Sequence, residues 1–309
     1  MDKKTERLVN VARMYYEQDR TQSEIADRYG ISRPMVSKLL KEARDRGIVT
    51  IRINAPKGES GGAPSLMELV GRCFGIYDGV AVPGGPNDQT TNEAVAEAAI
   101  SYLSGLGGTG LGIGWGHIIG DVVKHMEQKA KLVPIGTFVC PLIGNGGVGL
   151  KNYHSNELVR SIAEHSGAQP RFIYSPACVL SEQELKLTRE LDSYHEIYHV
   201  WEKLDVALVN IGNFPSVPDF ASEARYGDLL IRQKAVGRIL NYFMDSQGHI
   251  IRSDTDYAIQ IPLELLTRTR HVVGICSANT SPKAFRAALK TGYLKHFIAP
   301  EHVVREALE

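Results

Sequence analysis

Little in this chain points to export, membrane insertion or metal chemistry. The four cysteines, Cys73, Cys140, Cys178 and Cys276, lie far apart with no CxxC pair, so reduced, inert thiols in a cytosol are expected, not a disulfide frame or zinc knuckle. No uninterrupted apolar run reaches membrane-spanning length. The opening Met1-Asp2-Lys3-Lys4 leads straight into a charged amphipathic segment without an apolar stretch and cleavage site. Neither a bilayer span nor a secretory signal is expected, which favours a cytoplasmic protein. The chain has no Walker A pattern, no internal repeat and no net charge, with 35 Lys and Arg against 35 Asp and Glu.

The neutral total conceals an asymmetry. Residues 1–55 carry 12 basic against 8 acidic side chains, leaving 23 against 27 for positions 56–309. A polyanion is therefore drawn to the front end. With 309 residues, 43% hydrophobic and 23% charged, the chain suits soluble globular domains able to bury their own cores.

Residues 55–64, rich in Gly, Pro, Ser and Ala, read as a linker between a domain at 1–54 and another at 65–309. Beyond it, apolar runs at Gly79–Val82, Gly110–Gly114, Ile135–Leu142, Arg171–Tyr174, Asp205–Ile211, His271–Cys276 and His296–Ile298 predict strands. Helical patterns near 88–104, 116–129, 151–166, 181–203, 281–291 and 300–308 alternate with them. Such alternation predicts an α/β fold, a mostly parallel sheet covered on both faces.

The front domain has the pattern of a winged helix-turn-helix. Residues 5–18 form a first helix with Leu8, Val11, Ala12 and Tyr15 on one face. Thr21 and Glu24 offer a capping box that starts a second helix at Gln22. Counting from Gln22, small Ala26 lets crossing helices approach, Gly30 tolerates a left-handed turn, and Ile25, Ile31, Val36 and Leu39 pack the pair onto the first helix. Ser32 caps a third helix with Pro34 in its first turn. Arg33, Met35, Ser37, Lys38 and Lys41 remain for its outward face, where cations meet phosphates and exposed side chains meet base edges. Gly47 ends the helix and Ile48–Ile53 alternates as a wing would, carrying Arg52. Thr21, Gln22 and Ser32 complete the candidate DNA contacts. A bare three-helix bundle would share the Ala and Gly but has no reason for box, turn, basic face and wing together.

These segments, with Arg13-Met14-Tyr15-Tyr16-Glu17 and Gly47-Ile48-Val49-Thr50-Ile51, resemble the SorC family of sugar-responsive transcriptional regulators. Gly112-Ile113-Gly114-Trp115-Gly116, Leu204–Gly212, Ala235–Ile239 with Phe243, Asp245 and Gly248, and Lys283 before Ala287-Ala288-Leu289 continue the resemblance in order along nearly the whole chain. It implies a Rossmann-like, doubly wound effector domain akin to sugar-phosphate isomerases and deaminases. It also implies a homo-oligomer, commonly a tetramer, whose grip on operator DNA is changed by a phosphorylated sugar.

In open α/β sheets ligands lie beyond the C-terminal strand ends. That nominates Trp115, Gly116 and His117 at a helix N-terminus suited to anions, then Gly144, Asn145, Gly146 and Gly147, then Gly212 and Asn213, then Asn279 with Lys283 as a point charge. Family analogy adds Asp245 for sugar hydroxyls. Tight turns and close packing account for about half of these glycines without a ligand. Where the family usually follows Trp-Gly with Arg and Thr, this chain has His117 and Ile118, which leaves a sugar, a sugar phosphate or a carboxylate open as effector.

Other signals carry less. His195-Glu196-Ile197-Tyr198-His199 matches the HExxH zinc-hydrolase pattern, but falls on an expected covering helix with no further ligand motif. Gly110-x-Gly112-x-Gly114-x-Gly116 is not GxGxxG and no acidic residue ends the next strand, so a dinucleotide site is weak. No catalytic residue, metal or cofactor is expected. The alternatives are a sugar-phosphate isomerase or deaminase with a DNA-binding appendage, and a structural DNA-bridging protein.

Overall fold

Helical spacing of apolar side chains and one capping box organise the front of the chain. The computed structural model describes residues 3–16, 18, 20–45, 48, 49, 65–76, 78–147, 149–216 and 225–309. They belong to two units, Met1–Gly62 and Ala63–Glu309. The linker reading, Gly47, Arg52 and most of the expected wing lie outside the described residues.

In the first unit, α1 (Lys3–Tyr16), α2 (Gln22–Tyr29) and α3 (Arg33–Asp45) are the three helices expected. The Thr21 hydroxyl accepts from the Glu24 N–H at 3.2 Å while the Glu24 carboxylate accepts from the Thr21 N–H at 2.8 Å, so the box forms and α2 starts there. Those bonds hold the Glu24 carboxyl below its ordinary range. Gly30 takes the left-handed φ of 59° and returns its N–H to the last turn of α2, as a helix-ending glycine does. Val11, Met14, Ile25, Ala26, Val36 and Leu40 fill the core. Two register details differ from expectation: Met14 and Leu40 are buried, whereas Tyr15 and Leu39 pack at its edge.

The second unit opens with α4 (Leu66–Phe74), capped by Ser65 and not anticipated from the sequence. There follow β1 (Gly79–Val82), α5 (Asp88–Leu106), β2 (Gly110–Ile113), α6 (His117–Glu127), β3 (Phe138–Pro141), α7 (Ser155–Ser166) and β4 (Gln169–Pro170). Next come α8 (Glu182–Glu190), α9 (Asp192–Trp201), β5 (Val206–Asn213), α10 (Leu229–Arg232), β6 (Gly237–Ile239) and β7 (Tyr242–Met244). The chain closes with α11 (Leu263–Arg268), β8 (His271–Ile275), α12 (Pro282–Lys290), β9 (His296–Pro300) and α13 (Glu301–Leu308).

The strands β1-β9-β8-β5-β2-β3-β4 form one parallel sheet, and β6 pairs antiparallel with both β5 and β7. Side chains alternate strictly between its faces. Cys140, Ala207, Val209, Val272, Phe297 and Ala299 pack on one side with Trp201, Leu266, Phe285 and Val304 from the covering helices. Val139, Leu111, Ile113, Leu208, Val273 and Ile298 pack on the other with Val95, Ile119 and Ile162. Burial on both faces requires apolar residues at successive strand positions, and helices then cover each side.

Two expected elements are corrected. The helix over 181–203 breaks at Leu191, whose ψ is 138°. Its first half buries no residue, whereas its second buries Tyr194, Ile197 and Trp201. The strand at Arg171–Tyr174 does not form, and pairing stops at Pro170. Beyond it the Asn156 carboxamide accepts from the Ile173 N–H at 3.0 Å and donates to its carbonyl at 2.8 Å, taking both groups a neighbouring strand would need. The β6–β7 hairpin was not anticipated either.

Candidate functional site

Two surfaces carry functional chemistry, one in each unit. On the first, Arg33, Met35, Ser37, Lys38 and Lys41 are all exposed along α3, and no acidic residue stands in its first turn. Ser32 is exposed just before it, its carbonyl accepting from the N–H groups of Met35 and Val36. Thr21 is exposed but its hydroxyl is held by Glu24, and Gln22 is half-buried. A shallow depression lined by Tyr15, Tyr16, Arg20, Thr21, Gln22, Ser23 and Arg33 joins the three helices. Arg20 and Ser23 were not singled out from the sequence.

The second surface follows from topology. The chain leaves β2 towards β3 and leaves β5 towards β8, so the carboxyl ends of neighbouring β2 and β5 diverge and open a crevice. A cavity of about 840 Å³ lies there, within the range of small-molecule sites. It is lined by Trp115, Gly116, His117, Ile118, Asp121, Lys124, His125 and Gln128 from β2 onward, and by Gln89, Asn92 and Glu93 of α5. Tyr153, Asn210, Ile211, Gly212, Asn213, Pro215, Ser216, Arg238, Ser277, Asn279 and Thr280 complete it.

Gly116 precedes α6 with φ 106° and no side-chain cap. A β-carbon is strained in that conformation, and without a capping side chain the first N–H groups of α6 remain for a ligand, with the positive end of the helix dipole behind them. Trp115 is buried, its ring meeting Tyr153 edge-on at 5.7 Å. His117 meets the same tyrosine at 5.6 Å.

Arg238, Asn210 and Thr280 are buried polar side chains that line the cavity, none nominated by sequence. Arg238 of β6 donates to the Asn241 carboxamide at 3.4 Å. A β-carbon at Gly212 would stand 3.0 Å from its Nε, so this glycine keeps room for the guanidinium stem. Asn210 of β5 is 8% exposed, and its Oδ1 is buried with no hydrogen-bond partner among the described residues. A β-carbon at Gly114 would fall 2.8 Å from that oxygen. Burial pushes the Tyr153 hydroxyl up, with Arg238 partly offsetting it, and pushes the Asp121 carboxyl up, with Lys124, His117 and His125 partly offsetting it.

Of the expected effector contacts, the fold gathers Trp115, Gly116, His117, Gly212, Asn213 and Asn279 around the cavity. Asn213 donates to the Asn279 carbonyl at 2.9 Å and accepts from the Ser281 N–H at 2.7 Å. The others lie outside its lining. Gly144 is shut in, a β-carbon there falling 2.2 Å from the Pro176 carbonyl oxygen. Asn145 spends its carboxamide on Ile173 and Asn156. Gly146 backs the Trp115 ring, and Gly147 is exposed with open space before it. Asp245 accepts from the Gln247 and His249 N–H groups at 2.8 and 3.0 Å, which closes the turn after β7. Lys283 is exposed on α12.

The HExxH residues are spread over a solvated face. His195, Glu196 and His199 are exposed, and His199 Nδ1 lies 2.8 Å from Glu202. Among the described residues no group of three His, Cys, Asp or Glu side chains is placed to hold a metal, and no helix is long and apolar enough to cross a membrane.

Comparison with known proteins bears on both units. Residues 63–309 match the family described as "Putative sugar-binding domain", and residues 5–46 match sigma-70 region 4. The chain is 30% identical over 300 residues to a protein named Sorbitol operon regulator from Klebsiella pneumoniae, covering 93% of this chain and 92% of that one. It is 26% identical to the Deoxyribonucleoside regulator of Bacillus subtilis, covering 99% and 98%. The crystal structure of the full-length Klebsiella pneumoniae regulator SorC superposes with a TM-score of 0.70 and 26% identity, over all of both chains. A first unit built as a helix-turn-helix, a switch-point cavity in the second unit and similarity running end to end place this chain in the SorC family of sugar-responsive transcriptional regulators.

Proposed function

We propose that the protein regulates a carbohydrate-utilisation operon in the cytoplasm, holding operator DNA with α3 and changing that hold when an anionic sugar derivative enters the β2/β5 cavity. The observation that carries this reading is the pairing of a buried guanidinium, Arg238, with the uncapped N-terminus of α6 in one cavity. Both favour an anion, and the amide and hydroxyl groups around them suit sugar hydroxyls. A sugar phosphate or sugar acid fits this chemistry. The relatives named for a sorbitol operon and for deoxyribonucleosides support a carbohydrate-derived effector.

In the first unit Arg33, Lys38 and Lys41 neutralise phosphates while Met35 and Ser37 stand where base edges pass in the major groove. The protein acts as a homo-oligomer, a tetramer by analogy with the family, so that paired recognition helices meet successive grooves of a pseudo-palindromic operator. The effector shifts the population between assemblies of different DNA affinity. Fluorescence anisotropy with upstream DNA of the protein's own operon tests this. Binding falls steeply with salt, each of Lys38→Ala and Lys41→Ala lowers the slope by about one, and a sugar phosphate or sugar acid changes the affinity. Salt-independent binding, or indifference to every anionic sugar, would overturn the reading.

A further inference from the structure

Among the described residues, the carboxylates drawn partly into this fold each accept at least one hydrogen bond or ion pair, with one exception. Asp205 accepts from the Thr109 N–H at 2.7 Å and from its hydroxyl at 2.5 Å, Asp256 accepts from Arg225 and Tyr226, and Glu127 accepts from Ser161 at 2.6 Å. Asp121 is partly buried on α6 and lines the cavity. Yet among the described residues no donor hydrogen-bonds to its carboxylate and no cation forms an ion pair with it. Leaving a charged acceptor short of donors as it leaves water is costly, so such a group is expected where a ligand supplies them. Asn210, its Oδ1 buried and unpartnered, lines the same cavity.

We infer that Asp121 is the specificity-determining residue for the far end of the effector, accepting hydrogen bonds from hydroxyl groups of a polyol chain whose anionic end sits at the start of α6. This inference rests on the cavity being the effector site. Hydroxyls are favoured over an ammonium group because Lys124 already sets a positive charge near the carboxylate, with His117, His125 and the carboxylate of Glu93 also facing it. Distance sets the length of the ligand. Asp121 stands four residues beyond His117, about 6 Å along the helix axis, so a chain of roughly five or six carbons spans from the first N–H groups of α6 to this carboxylate, and a three-carbon one falls short. Asn210, whose carboxamide stands beside Gly114 and Gly116, offers a second contact at the anionic end.

Isothermal titration of the full chain with inorganic phosphate, glycerol 3-phosphate and a hexitol 6-phosphate separates the possibilities. Asp121→Leu is expected to weaken hexitol 6-phosphate about tenfold, the scale of a lost hydrogen bond to a charged group, and Asp121→Asn less. Phosphate and glycerol 3-phosphate are expected to bind both variants as well as the parent or better, because a negative charge near their site has gone. A purely structural role for Asp121 would weaken all three together, and that outcome, or unchanged binding of hexitol 6-phosphate, would overturn the inference while leaving the cavity reading intact. If the parent protein binds none of the three, this inference falls, and the cavity reading falls with it only if no other anionic sugar binds.

Discussion

Two neighbouring strands of the sheet end in glycine-rich turns, Gly114 to Gly116 after β2 and Gly144 to Gly147 after β3, and they do opposite work. After β2 the missing β-carbons clear space for the Asn210 carboxamide and leave helix N–H groups facing a cavity. After β3 the turn is spent on itself. Gly144 donates to the Ile259 carbonyl and accepts from Ser155, Gly146 donates to Tyr153, and Asn145 is bonded on both sides of its carboxamide. Glycine at a strand end marks close approach, and what approaches decides whether the place binds or merely packs.

Four substitutions press on this contrast. The largest expected effect is Arg238→Met, which removes the buried guanidinium while keeping most of its volume. Titration with an anionic sugar is expected to show a loss of about 100-fold, consistent with charge-assisted bonds, with DNA binding retained. Unaltered affinity would mean that the β2 side packs as the β3 side does. Next, Gly114→Ala drives a methyl group into Asn210 and Leu240; effector binding is expected to weaken about tenfold, alongside a cost of about 1–3 kcal/mol in denaturant unfolding.

Gly144→Ala inserts a methyl group against backbone, so a comparable loss of about 1–3 kcal/mol is expected, with normal effector affinity in the folded fraction. Weakened binding without lost stability would reverse the roles of the two turns. Last and smallest, Lys283→Ala is expected to change effector affinity less than about twofold, as for a solvated lysine on a helix face. A tenfold loss in calorimetry would return Lys283 to the site and show that the cavity closes over α12.

How far the sequence could be read depended on the range of the interaction involved. The capping box at Thr21 and Glu24, the left-handed Gly30 and the apolar run of β5 are written in residues a few positions apart, and each forms where its pattern stands. Strand ends carried the crevice as well, since Trp115, Gly116, Gly212 and Asn279 all border it. Asp245 lies outside the cavity lining, its carboxylate accepting from the nearby N–H groups of Gln247 and His249. The break at Leu191 escaped notice because an extended leucine between two helical patterns leaves no proline or glycine behind. Arg238, Asn210 and Asp121 escaped for a different reason, as each looks like an ordinary strand or helix residue until a distant element comes beside it.

Local order thus belongs to the sequence alone: three front helices with a basic outward face, and a parallel sheet whose apolar runs demand cover on both sides. Nearest-neighbour hydrogen bonds and the periodicity of side chains suffice for that. Which polar groups are left without protein partners in the crevice was decided only by tertiary structure, because β2, β5, β6 and α6 are far apart in the chain. Whether a buried amide or carboxylate is satisfied depends on all of them at once.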